Sequence, residues 1–190
     1  MNALTLNLRT ATSMIDRRLV LFYLVVAAAS LPIWPFGWHL ALHVAGAAAL
    51  IGNAIVMAVW LSIAGFALGD ESKRRAARAV NVADLWFTIP GVALLLANGL
   101  AMVFERYGGV SAFTTTPFIG VGLVLLVGTG LVWAARLVPN QLELQRISDA
   151  AGALDQAAFR AALIRWSAWG VVATVLPILA VVGMTTKPTL

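Results

Sequence analysis

Apolar residues in this chain gather in long blocks separated by short polar stretches, rather than alternating with polar ones. Five blocks reach or approach the ~20 residues that a helix needs to cross the hydrocarbon of a bilayer. They run over about 19–37 ("LVLFYLVVAAASLPIWPFG"), 38–68, 82–104, 117–137 and 163–184. The second is longer than required and should tilt or extend past the bilayer. The first is the weakest, because Pro32 and Pro35 end it early. Arg17 and Arg18 before a short apolar core also resemble a signal segment. The polar lead is long for one, however, so a retained helix is the reading.

The pattern predicts an all-α, polytopic membrane helical bundle of five transmembrane helices. Four of them form a core, joined by an N-terminal helix, in a single integral membrane domain over 1–190. Composition agrees: 61% of residues are hydrophobic and 11% charged, against about 25% charged in soluble domains. A water-facing surface cannot be assembled from that inventory. The chain has no cysteine, which excludes disulfides, thiolate metal sites and Cys nucleophiles. A pI near 10.8 raises nucleic acid as a partner, but the basic residues lie between apolar runs, where topology accounts for them. The bilayer is the expected partner, and nucleic acid is not.

Charge sets the orientation. Arg9, Arg17 and Arg18 precede the first block, and Lys73, Arg74, Arg75 and Arg78 separate the second from the third. Arg136, Arg146, Arg160 and Arg165 lie between the fourth and fifth or at their facing ends. The opposite loops carry only Arg106, offset by Glu105, and Lys187 follows the last block. The positive-inside rule makes the basic side cytoplasmic. The expectation is a multi-pass protein of the inner membrane, N-terminus cytoplasmic and C-terminus periplasmic. Trp38, Trp133, Trp166 and Trp169, near block ends, read as interface anchors.

The segment "NQLELQRISDAAGALDQAAFRAALIRW" repeats Ile147, Ala151, Leu154, Ala158 and Ala161 at helical spacing. It predicts a cytoplasmic amphipathic extension over 138–162 that continues into the fifth helix. Its polar face is either a solvated arm or a docking surface for a protein partner.

Polar residues inside the second and third blocks fall on two stripes. One holds His39, His43, Gly46, Leu50, Asn53, Met57 and Trp60; the other holds Asp84, Thr88, Gly91, Leu95, Asn98, Met102 and Glu105. Residues spaced alternately three and four apart share a helix face, and polar groups in hydrocarbon turn toward the bundle interior. The stripes should therefore face each other or a shared cavity, with the glycines allowing close approach. Asp84 would begin the third helix, as a cap or a partner of a loop arginine.

His39 and His43 are the only histidines, and their chemistry has three readings. As an i, i+4 pair they suit one metal ion, with His43 the main ligand and Glu105, Met102 or water completing the shell. As a haem b site, two histidines on one helix cannot reach opposite faces. That leaves His43 with Met102, His43 alone, or a haem shared across a homodimer. In the third reading His39 is interfacial and His43 only bonds across helices. Asn98 and Glu105 lie level with the pair and would line a haem or quinol site.

The runs "LHVAGAAALIGNAIVMAVW", "DLWFTIPGVALLLANGLAM" and "RWSAWGVVATVLPILAVVGM" resemble a bacterial family of predicted integral membrane proteins of unknown function. The most specific element is Asp84-x-x-Phe87-Thr88-x-Pro90-Gly91. More distantly, Trp38, Ala41, Leu42 and His43 are similar to an opening shared by HemJ-type protoporphyrinogen oxidases and CopD-type copper-resistance membrane proteins. That likeness implies haem b on His43. His39 stands where the HemJ group commonly has lysine, a departure that speaks against the oxidase reaction rather than against a haem.

Two functions follow as expectations. One is a haem b redox protein exchanging electrons with quinol or a periplasmic partner, with His43, Met102, His39, Asn98 and Glu105 at the cofactor. The other is a non-enzymatic accessory or scaffold protein. No Gly-x-Ser-x-Gly setting or phosphate loop supports hydrolysis.

Overall fold

The computed structural model describes residues 17–187; Arg9 and the other residues before Arg17 lie outside them. The described chain folds into five helices: α1 (Arg17–Ala29), α2 (Phe36–Ala67), α3 (Asp70–Arg106), α4 (Pro117–Asp149) and α5 (Gln156–Thr186). Short helical turns over Gly109–Ser111 and Ala112–Thr115 join α3 to α4. No strand occurs among the described residues.

Four helices, α2 to α5, are long and apolar enough to cross a membrane. The described α1 has 13 residues, about 20 Å at 1.5 Å per residue, less than the ~30 Å hydrocarbon core. The expected fifth span is thus not among the spans found. The cause is the "SLPIWP" stretch: α1 stops at Ala29, and Phe36 and Gly37, expected in the first block, open α2 with Pro35 before them. The indoles of Trp34 and Trp38 donate to the carbonyls of Ala28 and Ala29 at 3.1 and 3.0 Å. Carbonyls at a helix end lack the regular intrahelical partner, and that of Ala28 also accepts from the Leu31 amide at 3.3 Å. α1 lies against α3, where the Tyr23 hydroxyl donates to the Leu85 carbonyl at 2.7 Å.

Three helix ends differ from expectation. α3 starts at Asp70, not near Val82, so "ESKRRAAR" is its first turns rather than a loop, and Asp84 lies inside the helix. α4 runs to Asp149 and α5 starts at Gln156, so 138–162 is a hairpin of two helix ends and not one helix. The chain breaks at 150–155, where Gly152 takes φ +89°, a conformation suited to glycine. Asp155 then caps α5 by accepting from the Ala158 amide at 3.0 Å.

This end carries the main apolar core. Ala76, Ala77 and Val80 of α3 meet Leu144 of α4 and Phe159 and Leu163 of α5. Arg74 binds the turn by donating to the carbonyls of Ser148, Ala150 (3.1 Å) and Gly152 (2.9 Å). Arg78 pairs with Asp149 at 3.1 Å. The cations therefore gather at one end of the bundle. At the other, Arg106 stacks 4.3 Å over Phe36 and Lys187 lies 5.8 Å over Phe118. Of the four tryptophans expected as anchors, Trp38 (46%) and Trp169 (37%) are surface-exposed. Trp166 (4%) instead packs in the core, and Trp133 turns its indole toward Asp84.

Candidate functional site

The two polar stripes meet along the α2–α3 contact, in antiparallel register. At its centre Gly46 and Gly91 touch backbone to backbone. A Cβ on Gly46 would stand 2.6 Å from the Gly91 carbonyl oxygen, and one on Gly91 would stand 3.0 Å from that of Gly46. The face holds from His39 to Asn53 and is lost by Trp60, which is 46% exposed. A seven-residue repeat drifts by about 20° per heptad on a straight helix, and that drift turns Trp60 outward.

Away from the basic end, His39 meets Asn98. The Asn98 amide nitrogen donates to the Leu94 carbonyl (2.8 Å) and the Ser30 hydroxyl (3.0 Å). Its Oδ1 is therefore the acceptor, and His39 Nδ1, 2.7 Å away, is the donor. One turn deeper, His43 Nδ1 donates to the Leu95 carbonyl at 2.8 Å. With the proton on Nδ1, the uncharged tautomer of either ring carries a lone pair on Nε2. Gly99 makes room for the second ring, since a Cβ there would lie 2.9 Å from His43 Nδ1. Gly99 was not among the sequence candidates, because nothing in its local pattern marks it.

A cavity of about 640 Å³ lies beside His39, within the ~300–1,000 Å³ range of small-molecule sites. It is lined by Ser30, His39 and Glu105, and otherwise by apolar side chains that include Trp34, Leu100 and Phe104. Of the five expected site residues, only His39 and Glu105 reach this cavity. Asn98 stands behind His39, fully buried. His43 is half-buried and lines another part of the helix contact. Met102 is buried, seven residues along α3 from Leu95, about 10 Å of helix rise. His43 and Met102 are not brought together. Among the described residues no three His, Asp or Glu side chains stand close enough to share a metal ion.

A second polar cluster lies toward the basic end. Asp84 Oδ1 accepts from Thr88 (2.6 Å) and Asn53 (3.2 Å), and its Oδ2 from Gln141 (2.9 Å) and Trp133 (3.3 Å). Asn53 also donates to Thr88 at 2.8 Å. All four donors are neutral, so in place of the expected cap or loop-arginine partner Asp84 has a polar cage from α2, α3 and α4. Asp84 and Trp133 each open a π-helical segment, Asp84–Thr88 and Trp133–Leu137. Such segments re-aim side chains out of the regular helical ladder. Gln141 lies beyond the apolar block of its helix, which hid it from sequence reasoning.

Fold and seam together define a polytopic α-helical membrane protein. Residues 39–188 match the model of a family described as predicted integral membrane protein (DUF2269), and the chain belongs to that family. No curated protein and no solved structure matches it.

Proposed function

We propose that this is a haem b redox protein of the inner membrane, its basic end in the cytoplasm, that exchanges electrons with quinol or a periplasmic partner. The observation that carries the proposal is the setting of His43. Its Nδ1–H is held by the Leu95 carbonyl, and Gly99 leaves space for the ring. A metal-ligating histidine is typically oriented through its other ring nitrogen in this way, and the likeness to the HemJ and CopD opening favours the same residue. The separation of Met102 from His43 favours His43 as the only axial ligand from this chain, or a haem shared across a homodimer. When bound, a haem would supply one-electron chemistry; the chain orients the ligand and keeps a lone pair on it.

The test is an absorption spectrum of the detergent-purified protein, oxidised and dithionite-reduced. We expect a Soret band and a b-type reduced α-band that His43→Ala removes and His39→Ala keeps. Loss in both variants would favour the shared haem. A colourless protein, even with haem supplied during expression, would sink the redox reading.

The satisfied cage around Asp84 favours a second reading, a non-enzymatic accessory protein whose polar seams specify helix packing. Its working surface would be the hairpin over 138–162, presented to a protein partner.

A further inference from the structure

The cavity beside His39 is one-sided in its hydrogen bonding. Three polar side chains line it, and each presents an acceptor. His39, 1% exposed, has spent its Nδ1 proton on Asn98 and has no partner at Nε2 among the described residues. The Ser30 hydroxyl donates to the Val26 carbonyl at 2.9 Å and accepts from Asn98, which leaves only a lone pair. Glu105 adds carboxylate oxygens with no hydrogen-bond or ion-pair partner among the described residues.

The donors among the lining residues are already used. The Trp34 indole donates to Ala28, and the amides of Ser30 and Trp34 donate to Val26 and Leu31. The amides of the α3 residues belong to the helix ladder, Pro32 has none, and the other lining side chains are hydrocarbon. An occupant must therefore bring its own donors on an otherwise apolar body. An aromatic ring with hydroxyl groups suits walls that include Trp34 and Phe104.

The geometry points to a site for the head of a membrane quinol, selective for the reduced form over the quinone. The quinol's two O–H groups would meet the acceptors His39 Nε2 and Glu105. The quinone has only carbonyl oxygens, which would face the lone pair of the buried His39 and the Glu105 carboxylate and gain no hydrogen bond from either, a mismatch that disfavours it. The inference rests on the redox reading for its purpose, since it names the quinol as the electron-carrying partner, and on the cavity alone for the binding.

The experiment compares uptake of a decyl-chain quinol, kept reduced under argon, with uptake of its quinone. Protein-loaded nanodiscs are read against empty ones. We expect the quinol to bind at least about tenfold more tightly, one hydrogen bond's worth of discrimination. His39→Asn places an amide nitrogen where Nδ1 stood, keeping the bond to Asn98 while deleting the Nε2 acceptor. It should weaken quinol about tenfold and leave quinone unchanged. Glu105→Gln, at an exposed position, introduces a donor and should raise quinone binding.

Equal binding of the two forms overturns the inference, as does a preference that Glu105→Gln leaves intact. The Soret band of the same samples separates the two ideas. A colourless protein that still prefers quinol removes the haem reading and keeps this site. A haem protein blind to quinone oxidation state keeps the haem and removes this site.

Discussion

His39 and Asn98 are joined across the α2–α3 contact by a 2.7 Å hydrogen bond, with His39 1% exposed and Asn98 0%. Through Ser30, the same asparagine holds the segment that follows α1. Three parts of the chain thus depend on one amide.

Asn98→Leu removes that amide and leaves the His39 Nδ1–H without an acceptor. Cross-helix bonds in membranes average about 0.6 kcal/mol and reach about 2, and an orphaned buried donor costs about 1–3 kcal/mol. We expect a loss near the upper part of that range, read from unfolding in mixed micelles. A variant as stable as the parent would show that water already serves these groups.

Gly46→Ala forces a methyl against the Gly91 carbonyl oxygen, 2.6 Å away, a backbone atom that cannot swing aside. Overpacking of this kind costs about 1–3 kcal/mol. Gly52→Ala on the same helix meets nothing within 4 Å and removes a glycine from a helix interior, so it should be neutral or slightly stabilising. Thermal denaturation of the pair in one detergent measures the contrast.

Asp84→Asn keeps the shape of the side chain but turns one acceptor oxygen into a donor. That NH₂ group would face either the Asn53 and Thr88 donors or those of Gln141 and Trp133. The expected loss is about 1–3 kcal/mol, with a shift in tryptophan emission from Trp133. Unchanged stability and emission would mean that the cage does not depend on the carboxylate.

The absence of cysteine provides a clean background for topology. Ser111→Cys at the α3–α4 turn and Ala151→Cys at the α4–α5 turn are both at exposed positions, on opposite ends of the bundle. With the basic end in the cytoplasm, a membrane-impermeant maleimide added to intact spheroplasts should label position 111 and spare 151. The reverse pattern would invert the proposed orientation.

Length and charge of the apolar blocks were enough for the helical class, the four long spans and the gathering of arginines at one end. These properties follow from the solvent: hydrocarbon demands internally bonded helices of a set length. The same reasoning failed at helix ends outside the apolar blocks. The first turns of α3 and the hairpin over 138–162 are held by Arg74, Ala76 and Phe159 contacts that hydropathy does not register. The fifth span is not found among the described residues, where α1 ends at Ala29 before Pro32 and Pro35, and Phe36 opens α2.

The stripes on α2 and α3 were also readable, since helical periodicity places His39, His43 and Gly46 on one face and Asp84, Gly91 and Asn98 on another. Which atoms meet was not. That depended on the axial register of two antiparallel helices, set where Gly46 and Gly91 touch. The register puts His39 on Asn98 and His43 on the Leu95 carbonyl, carries Met102 away from His43, and closes a cage of donors on Asp84. Periodicity assigns a residue to a face. Only packing assigns it a neighbour, because a shift of one turn along the seam would preserve both stripes and exchange every partner.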